Sequence, residues 1–388
     1  MRVLQVVTLV SPDGSYGGPT RVALNQSAEL ARRGIDVQVS AGTRGFDTVP
    51  QSMSNVPVTL FHARQLLPRV GFAGLAAPAQ IWWFLRSRRQ FDVVHIHLAR
   101  DLITPIVAAL ALLTGTRVYV QTHGMIDASN KRLSVPFDRL LIRPILRHAR
   151  AVFCLTPAEA EDLEEVEPKC RIVILPNGVP DPPSPSPTKR SFPGRSLEIL
   201  YLARLESRKR PLCFVESAIE VLGRGGDAHF ALVGPDEGVA EQVVDAIEGS
   251  AFASRLSWEG PLDPAKTLAR MADSDLYVLP SINEPFPMTV LEAMSIGVPV
   301  IITDTCGLAE AVRHADAGTV VDDSTQALTA AIEAYLRDPA LRARHGDNGR
   351  RLVHGEYSME MVGDQLLAEY LRDDRPVVDG VVASRSAG

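Results

Sequence analysis

The sequence contains few cysteines and no long apolar run. Its four cysteines in 388 residues are far apart and fit neither a zinc knuckle nor a disulfide framework, so they suit a reducing cytoplasm. The longest apolar run, 102–113, is too short to cross a bilayer and contains Pro105. The N-terminal MRVLQVVTLV lacks a small-residue cleavage site, so we interpret it as a buried strand and not as a secretion signal. We therefore expect a cytoplasmic globular protein.

Charge is distributed unevenly along the chain. The net charge is −6, but residues 1–180 contain 20 Lys/Arg and 14 Asp/Glu, which leaves 20 and 32 in the remainder. The first part is therefore about +6 and the rest about −12. Such a split predicts two lobes with different partners.

The change of charge coincides with the proline-rich stretch PDPPSPSPTKRSFPG, which predicts a semi-extended linker. On either side, short β-branched runs alternate with amphipathic helical segments, a pattern typical of parallel sheets covered by helices. We therefore predict an α/β fold with two Rossmann-like lobes and a ligand cleft beyond the carboxyl ends of the strands. The predicted limits are 1–180 for the first lobe, 181–194 for the linker, 195–372 for the second lobe and 373–388 for a flexible tail.

Two glutamates occupy the edges of the segment NEPFPMTVLEAMSIGVPV. Glu284 lies on a turn after the predicted strand LYVLPS, and Glu292 lies in the first turns of the helix that follows. Carboxylates accept hydrogen bonds from paired sugar hydroxyls, and the first amides of a helix suit an anion. Taken alone, each glutamate is better explained as a helix cap or a solvated turn residue.

This segment resembles the Glu-x7-Glu motif of the retaining nucleotide-sugar glycosyltransferases with the GT-B fold, family 4 in the sugar-enzyme classification. The resemblance implies that the two parallel sheets face each other across an interdomain cleft, with the acceptor on the first lobe and the donor on the second. It assigns Glu284 to the donor sugar and Glu292 to the ribose. It also implies that the last helix packs back on the first lobe.

Other segments extend the resemblance over nearly the whole chain. YLARLESRKRP resembles the family's diphosphate site, which assigns that role to Arg204 and Lys209. Arg208 and Arg210 are expected to face solvent, although either could substitute in that role. QTHGM resembles the cleft segment of the family whose histidine, here His123, steadies the positively charged sugar. The catalytic residues implied are therefore Arg204, Lys209, Glu284 and His123.

The glycine-rich stretch SPDGSYGGPTR resembles the family's donor loop. There Gly17 and Gly18 would let backbone amides approach the donor closely. The resemblance assigns further donor contacts to Phe286, Met288, Thr289, Val290 and Leu262. It assigns the acceptor side to Arg21 and Asp127.

One feature departs from the family's pattern, and another mimics a metal-binding motif of other glycosyltransferases. Pro287 occupies a position where the family often has glycine, and because proline has no N–H, one backbone bond to the donor sugar is absent. Asp273 and Asp275 mimic a metal-binding Asp-x-Asp motif, but they lie at a helix-to-strand junction where turn roles are expected. The sequence offers no other cluster of hard oxygen ligands, so we expect no metal and no cofactor.

The resemblance implies retaining transfer of a sugar from a UDP- or GDP-sugar to a hydroxyl of a glycan, glycolipid or small molecule, in polysaccharide or glycoconjugate biosynthesis. No nucleic-acid partner is expected. The alternative that stays open is a nonhydrolysing nucleotide-sugar epimerase with the same two-lobed fold. A periplasmic sugar-binding protein would lack a use for Arg204 and Lys209.

A basic stripe predicts contact with a membrane. In FDRLLIRPILRHAR the residues Arg139, Arg143 and Arg147 recur every four positions, and IWWFLRSRR adds aromatics beside three arginines. Such a surface suits an anionic inner leaflet. A solvated basic face with two core tryptophans is an equally good interpretation.

Overall fold

The structure, a computed structural model, describes residues 1–12, 17–67, 71–128, 134–180 and 196–372. The predicted linker at 181–194 and the predicted tail at 373–388 lie outside these residues. Within the described part of the chain, no helix is both long enough and apolar enough to cross a bilayer.

An eight-stranded sheet forms the centre of the first lobe. Its spatial order is β10-β9-β8-β7-β1-β2-β4-β3, and neighbours are parallel except β3 and β4. The strands β5 and β6 form a separate antiparallel ribbon. In chain order the described strands are β1 (Arg2–Val10), β2 (Asp36–Thr43), β3 (Ser52–Met53), β4 (Val56–His62), β5 (Arg64–Gln65), β6 (Leu75–Ala76), β7 (Val93–His97), β8 (Arg117–Gln121), β9 (Ala151–Cys154) and β10 (Ile172–Ile174).

Helices cover both faces of this sheet, so that its inner strands are buried and rich in β-branched residues, as in β7 with VVHIH. A π-helical segment, Asp138–Ile142, joins the fourth and fifth helices. The described helices of the first lobe are α1 (Gly17–Arg32), α2 (Pro78–Ser87), α3 (Thr104–Leu113), α4 (Ser134–Phe137), α5 (Arg143–His148) and α6 (Pro157–Val166).

The second lobe is built on a six-stranded sheet that is parallel throughout, in the order β13-β12-β11-β14-β15-β16. Its strands are β11 (Leu197–Leu202), β12 (Ala228–Val233), β13 (Leu256–Trp258), β14 (Leu276–Leu279), β15 (Val300–Thr303) and β16 (Gly318–Val321). The helices that follow in the chain are α7 (Pro211–Gly223), α8 (Ala240–Glu248), α9 (Thr267–Ala272), α10 (Met288–Ser295), α11 (Ala309–His314), α12 (Thr325–Arg337), α13 (Pro339–Glu356) and α14 (Met359–Leu371).

Strand order reverses once in each sheet, beside β1 in the first lobe and beside β11 in the second. Ligands of open parallel sheets bind outside the carboxyl ends of the strands at such a reversal. The prediction of an α/β fold with two parallel sheets is confirmed. The residues that follow β1 and β11 are the first place to look for a site.

The last helix returns to the first lobe. Val179 donates its N–H to the carbonyl of Tyr357 at 2.8 Å, and Met359 donates to the carbonyl of Val179 at 3.1 Å, so the two crossings between the lobes lie side by side. Beyond this point, α14 packs its buried residues, including Tyr370, against the first sheet near Val3. The predicted lobe limits stay a prediction.

Candidate active site

A cleft of about 730 Å³ lies between the two lobes at the carboxyl ends of β1 and β11. This volume falls within the range of small-molecule sites. The wall from the first lobe contains Thr8, Leu9, Gly18, Pro19, Thr20, Val22, His123, Gly124, Met125, Leu155 and Asn177. The wall from the second lobe contains Leu202, Ala203, Arg204, Arg208, Lys209, Glu284, Pro285, Phe286, Pro287, Met288 and Thr289.

Arg204 follows the central strand of the second sheet and lines the cleft. Carboxylates hold its guanidinium in place: Glu237 lies 2.8 Å away and Glu206 lies 3.1 Å away. The side chain is 42% exposed, so an incoming anion can reach it. A diphosphate would compete with these carboxylates for the same N–H donors.

Lys209 forms an ion pair with Glu284, which is 75 positions away in the chain. Arg208 also lies 3.8 Å from the same carboxylate and donates to the carbonyl of Asn283 at 3.0 Å. The two motifs of the second lobe are therefore joined into one cluster. Arg208 lines the cleft, which corrects the expectation that it faces solvent alone.

Glu292 is buried, with its side chain 2% exposed, and it is not among the residues that line the cleft. Arg21 of the first lobe forms an ion pair with its Oε1 atom, whereas Oε2 is buried without a hydrogen-bond partner among the described residues. Burial raises the pKa of this carboxyl to about 6, against the opposing effect of Arg21. The structure thus pairs Arg21, predicted on the acceptor side, with a residue that the resemblance assigns to the donor.

His123 lies in a turn with left-handed backbone, at φ 54°. Buried Glu159 accepts hydrogen bonds from the Thr122 hydroxyl and the Gly124 N–H, both at 2.5 Å, and so fixes the turn on either side of the histidine. Strained backbone of this kind is concentrated at functional sites. Gly124 suits the position because its φ is 71° and a Cβ there would lie 3.2 Å from the Pro285 Cβ in the other lobe.

Three histidine rings stack in the first lobe. Ring centroids are 4.9 Å apart for His95 and His97 and 5.0 Å apart for His97 and His123. Burial lowers the pKa of His95 and of His123 to about 3 and lowers the pKa of His97 well below its usual value. The rings are therefore neutral at physiological pH.

The glycine-rich loop is described from Gly17 onward, where α1 begins, and residues 13–16 lie outside the described part. Gly18 lines the cleft, and a Cβ added at this position would meet no neighbouring atoms. The first turn of α1 therefore forms part of the cleft wall.

The apolar residues predicted to contact the donor separate into two groups. Phe286, Met288 and Thr289 line the cleft. Val290 is fully buried in the core of the second lobe, and Leu262 packs against the same core without lining the cleft. The assignment of Val290 and Leu262 to donor binding stays a prediction.

Asp127, predicted on the acceptor side, lies outside the cleft wall with its side chain 64% exposed. Arg100 pairs with it at 2.9 Å and with Asp138 at 3.0 Å. This arrangement anchors the loop that follows His123, so that Asp127 has a structural partner of its own.

Sequence reasoning missed Glu159, which holds the His123 turn. The available signal was the pattern Thr-x-x-Glu at the start of α6, a capping box in which the Thr156 hydroxyl accepts from the Glu159 N–H at 3.2 Å. That pattern indicates a helix start, but in the structure the glutamate side chain turns toward 122–124.

Asp273 and Asp275 lie at the end of α9 and the start of β14. The Asp275 carboxylate accepts from the Glu198 backbone N–H at 2.8 Å. Among the described residues, no group of three or more acids, histidines or cysteines is arranged to hold a metal ion.

Comparison with known proteins identifies the family. Residues 17–178 match the family described as "Glycosyl transferase 4-like domain", and residues 186–352 match "Glycosyl transferases group 1". The chain belongs to the family 4 glycosyltransferases with the GT-B fold. The resemblance drawn from the motifs is therefore confirmed.

One similar protein of known activity is the alpha-D-kanosaminyltransferase of Streptomyces kanamyceticus, which is 25% identical over 376 residues, 88% of this chain and 96% of the relative. Among solved structures, sucrose-phosphate synthase from Thermosynechococcus elongatus has a TM-score of 0.75 at 20% identity, covering 95% of this chain and 98% of its own. Anabaena HepE in complex with UDP has a TM-score of 0.73 at 17% identity with the same coverage. Membership of a glycosyltransferase family does not favour the alternative that this protein is a nucleotide-sugar epimerase.

Proposed function

We propose that this family member is a retaining glycosyltransferase that moves a sugar from a UDP- or GDP-sugar to a hydroxyl of a glycan, glycolipid or small molecule. The observation that carries the proposal is the cationic cluster of Arg204, Arg208 and Lys209, which shares the cleft with Glu284 and faces neutral His123. The structure of HepE with UDP supports a uridine nucleotide as the first donor to test. The process served would be polysaccharide or glycoconjugate assembly.

In this proposal, breaking the anomeric C–O bond leaves negative charge on the diphosphate and positive character on the sugar. Arg204 and Lys209 stabilise the leaving group, because preorganised cations in a shielded site act most strongly on developing charge. Glu284 orients the donor sugar, and the acceptor hydroxyl attacks the same face and passes its proton to the departing phosphate. Closure of the two lobes about the paired crossings at Val179 and Tyr357 would exclude water.

The test uses purified protein with a panel of UDP- and GDP-sugars. Thermal shift selects the donor, because a ligand that binds the native state raises the melting temperature. The selected donor is then incubated with hydroxyl acceptors, and the product is identified by mass spectrometry and its anomeric configuration by NMR. An inverted product would refute retention, and donor conversion without any acceptor would favour the epimerase.

We expect activity to survive removal of divalent metal. Enzyme treated with EDTA should keep most of its turnover, since cationic side chains occupy the place of an ion beside the diphosphate. Turnover of treated and untreated enzyme with the selected donor provides the measurement. Loss of activity that Mg²⁺ or Mn²⁺ restores would contradict the proposal and would return attention to Asp273 and Asp275.

We also propose that the first lobe contacts an anionic membrane surface from the cytoplasmic side. Arg139 and Arg143 are exposed, as are Leu140 at 73% and Trp82 at 55%. The helix α3 packs against both α2 and the π-helical segment, so these residues belong to neighbouring elements. Exposed charged and apolar side chains on neighbouring elements suit the headgroup region of a bilayer.

The predicted stripe needs one correction. Arg147 is paired with buried Glu167 at 2.8 Å, so its charge is already offset. Replacing Arg139 and Arg143 by glutamine should lower the affinity for anionic vesicles, measured by sedimentation, by roughly 30-fold. Each charge contributes about 1 kcal/mol to the binding free energy. The control replaces Arg337 and Arg351 of the acidic lobe in the same way and should sediment like wild type. Wild-type protein that stays in the supernatant at low salt would favour an acceptor free in solution.

A further inference from the structure

Six polar side chains form a continuous chain of hydrogen bonds through the first lobe and connect two residues of the cleft wall. Five of the six are between 0% and 4% exposed. An inner parallel sheet is usually apolar, and polar residues that break such a pattern are typical of functional sites. We name this chain the relay, and its members in order are His123, His97, Gln5, Gln26, Gln121 and Asn177.

One half of the relay contains the histidines. His123 Nε2 lies 2.7 Å from His97 Nδ1, and His97 Nε2 lies 2.6 Å from Gln5 Oε1. An amide oxygen accepts and never donates, so the hydrogen of the second bond belongs to His97 Nε2. Because burial keeps His97 neutral, its Nδ1 atom has no hydrogen and must accept from His123. His123 then carries its hydrogen on Nε2 and a lone pair on Nδ1.

The other half contains the amides, which all point the same way. Gln5 donates to Gln26 Oε1 at 3.5 Å, and Gln26 donates to Gln121 Oε1 at 2.9 Å. Gln121 in turn donates to Asn177 Oδ1 at 3.3 Å. Asn177 lines the cleft, and no hydrogen bond from its amide nitrogen to another described residue is present. The relay gives each buried amide and His97 at least one partner, which offsets part of the cost of burying these groups, about 1–3 kcal/mol for each unsatisfied group.

We propose that the relay sets the tautomer of His123, with hydrogen on Nε2 and a lone pair on Nδ1, and couples it to an N–H donor at Asn177. His97, Gln5, Gln26 and Gln121 are positioning residues, because they act through the two residues at the ends. The chemical consequence rests on the proposed function: a lone pair on the cleft wall attracts a positively charged sugar, whereas an N–H would repel it.

The first experiment determines the tautomers directly. Protein labelled with ¹⁵N-histidine is studied by long-range ¹H–¹⁵N NMR, and signals are assigned from His97→Asn and His123→Asn. Both rings are expected as the Nε2–H form between about pH 6 and 9, since buried neutral histidines do not titrate there. If His97 has its hydrogen on Nδ1, the relay runs in the opposite direction and the proposal is overturned.

The second experiment interrupts the relay. Gln5→Met keeps the side-chain length and removes the acceptor of His97 Nε2–H, so the His123 signals should shift toward an average of two tautomers. With the donor selected above, kcat should fall about tenfold, the equivalent of one lost hydrogen bond, with KM for the donor unchanged. The control is Gln38→Met, the same change in neighbouring β2, where Gln38 bonds to Thr59 outside the relay. Unchanged His123 signals in folded Gln5→Met would contradict the coupling.

The tautomer measurement and the kinetic measurement test separate claims. The tautomer measurement requires no substrate, so it tests the relay even if glycosyl transfer is not the reaction. If the tautomers agree with the relay but Gln5→Met and Gln38→Met turn over donor equally, the relay exists without a part in catalysis. The proposal of a positioning role would then be wrong, while the proposed function would stand.

Discussion

Replacing Arg204 or Lys209 by alanine is expected to lower kcat by about 10²-fold or more. Both side chains line the cleft, and electrostatic groups aimed at developing charge contribute losses of this size when removed. The effect should fall mainly on kcat, because the charge on the diphosphate grows as the sugar bond breaks. Steady-state kinetics with the selected donor and acceptor provides the measurement.

The matched control for this result is Arg210→Ala. Arg210 belongs to the same basic run but does not line the cleft, and its left-handed φ of 54° is as unfavourable for alanine as for arginine. Its kcat should stay near that of wild type. Circular dichroism and thermal melting exclude unfolding, which matters for Lys209 because its loss leaves buried Glu284 without its closest cation. Near wild-type turnover in a folded Arg204 or Lys209 variant would remove that residue from the proposed role.

Substitutions of Glu284 and Glu292 are expected to have different effects on binding and turnover. Glu292→Gln should weaken binding of free UDP or GDP, because a ribose contact survives without the sugar. Glu284→Gln should leave nucleotide affinity unchanged and damage turnover of the sugar nucleotide, because its proposed partner is the sugar. Isothermal titration calorimetry with the nucleotide, followed by kinetics with the donor, separates them. Equal losses of affinity in the two variants would show that the roles are misassigned.

The raised pKa of Glu292 leads to a second test of its predicted role in nucleotide binding. Its folded pKa is about 6, above the usual 4.5, so the carboxyl becomes protonated as the pH falls through about 6. A protonated carboxyl accepts ribose hydroxyls less well, so nucleotide affinity should decline below that pH in wild type. Glu292→Gln shares the titration of the nucleotide's own phosphate but lacks this step. A pH dependence identical in both proteins would exclude Glu292 from nucleotide binding.

Much of the fold was accessible from the sequence because parallel sheets have a strong local signature. Apolar β-branched runs alternate with amphipathic helices, and the residues after β11 and β14 carry the polar motifs. Local spacing also places Glu284 before a helix, which begins at Met288 immediately after Pro287. Strand ends at one edge of a sheet then predict that Lys209 and Glu284 lie close together, and they form an ion pair.

Contacts that depend on the approach of distant elements were not accessible. The pairing of Arg21 with Glu292 joins two lobes, and nothing local in either segment specifies the other. Arg147 had the spacing of an exposed stripe, but Glu167 lies beside it only in the folded lobe. Polar residues inside strands, such as Gln5, carry no sign of their partners. Sequence patterns predict faces and edges, whereas these contacts require the packing of elements against each other.

The return of α14 to the first lobe has a consequence for synthesis on the ribosome. Tyr370 is fully buried against the first sheet and donates or accepts at His95 Nδ1, 275 positions earlier. The N-terminal lobe therefore cannot complete its core while the rest of the chain is still being translated. Its early strands must wait, partly uncovered, for the last helix to emerge from the exit tunnel. Folding of this enzyme is thus tied to the end of translation, and a nascent chain stopped before α14 would be a natural client for chaperones.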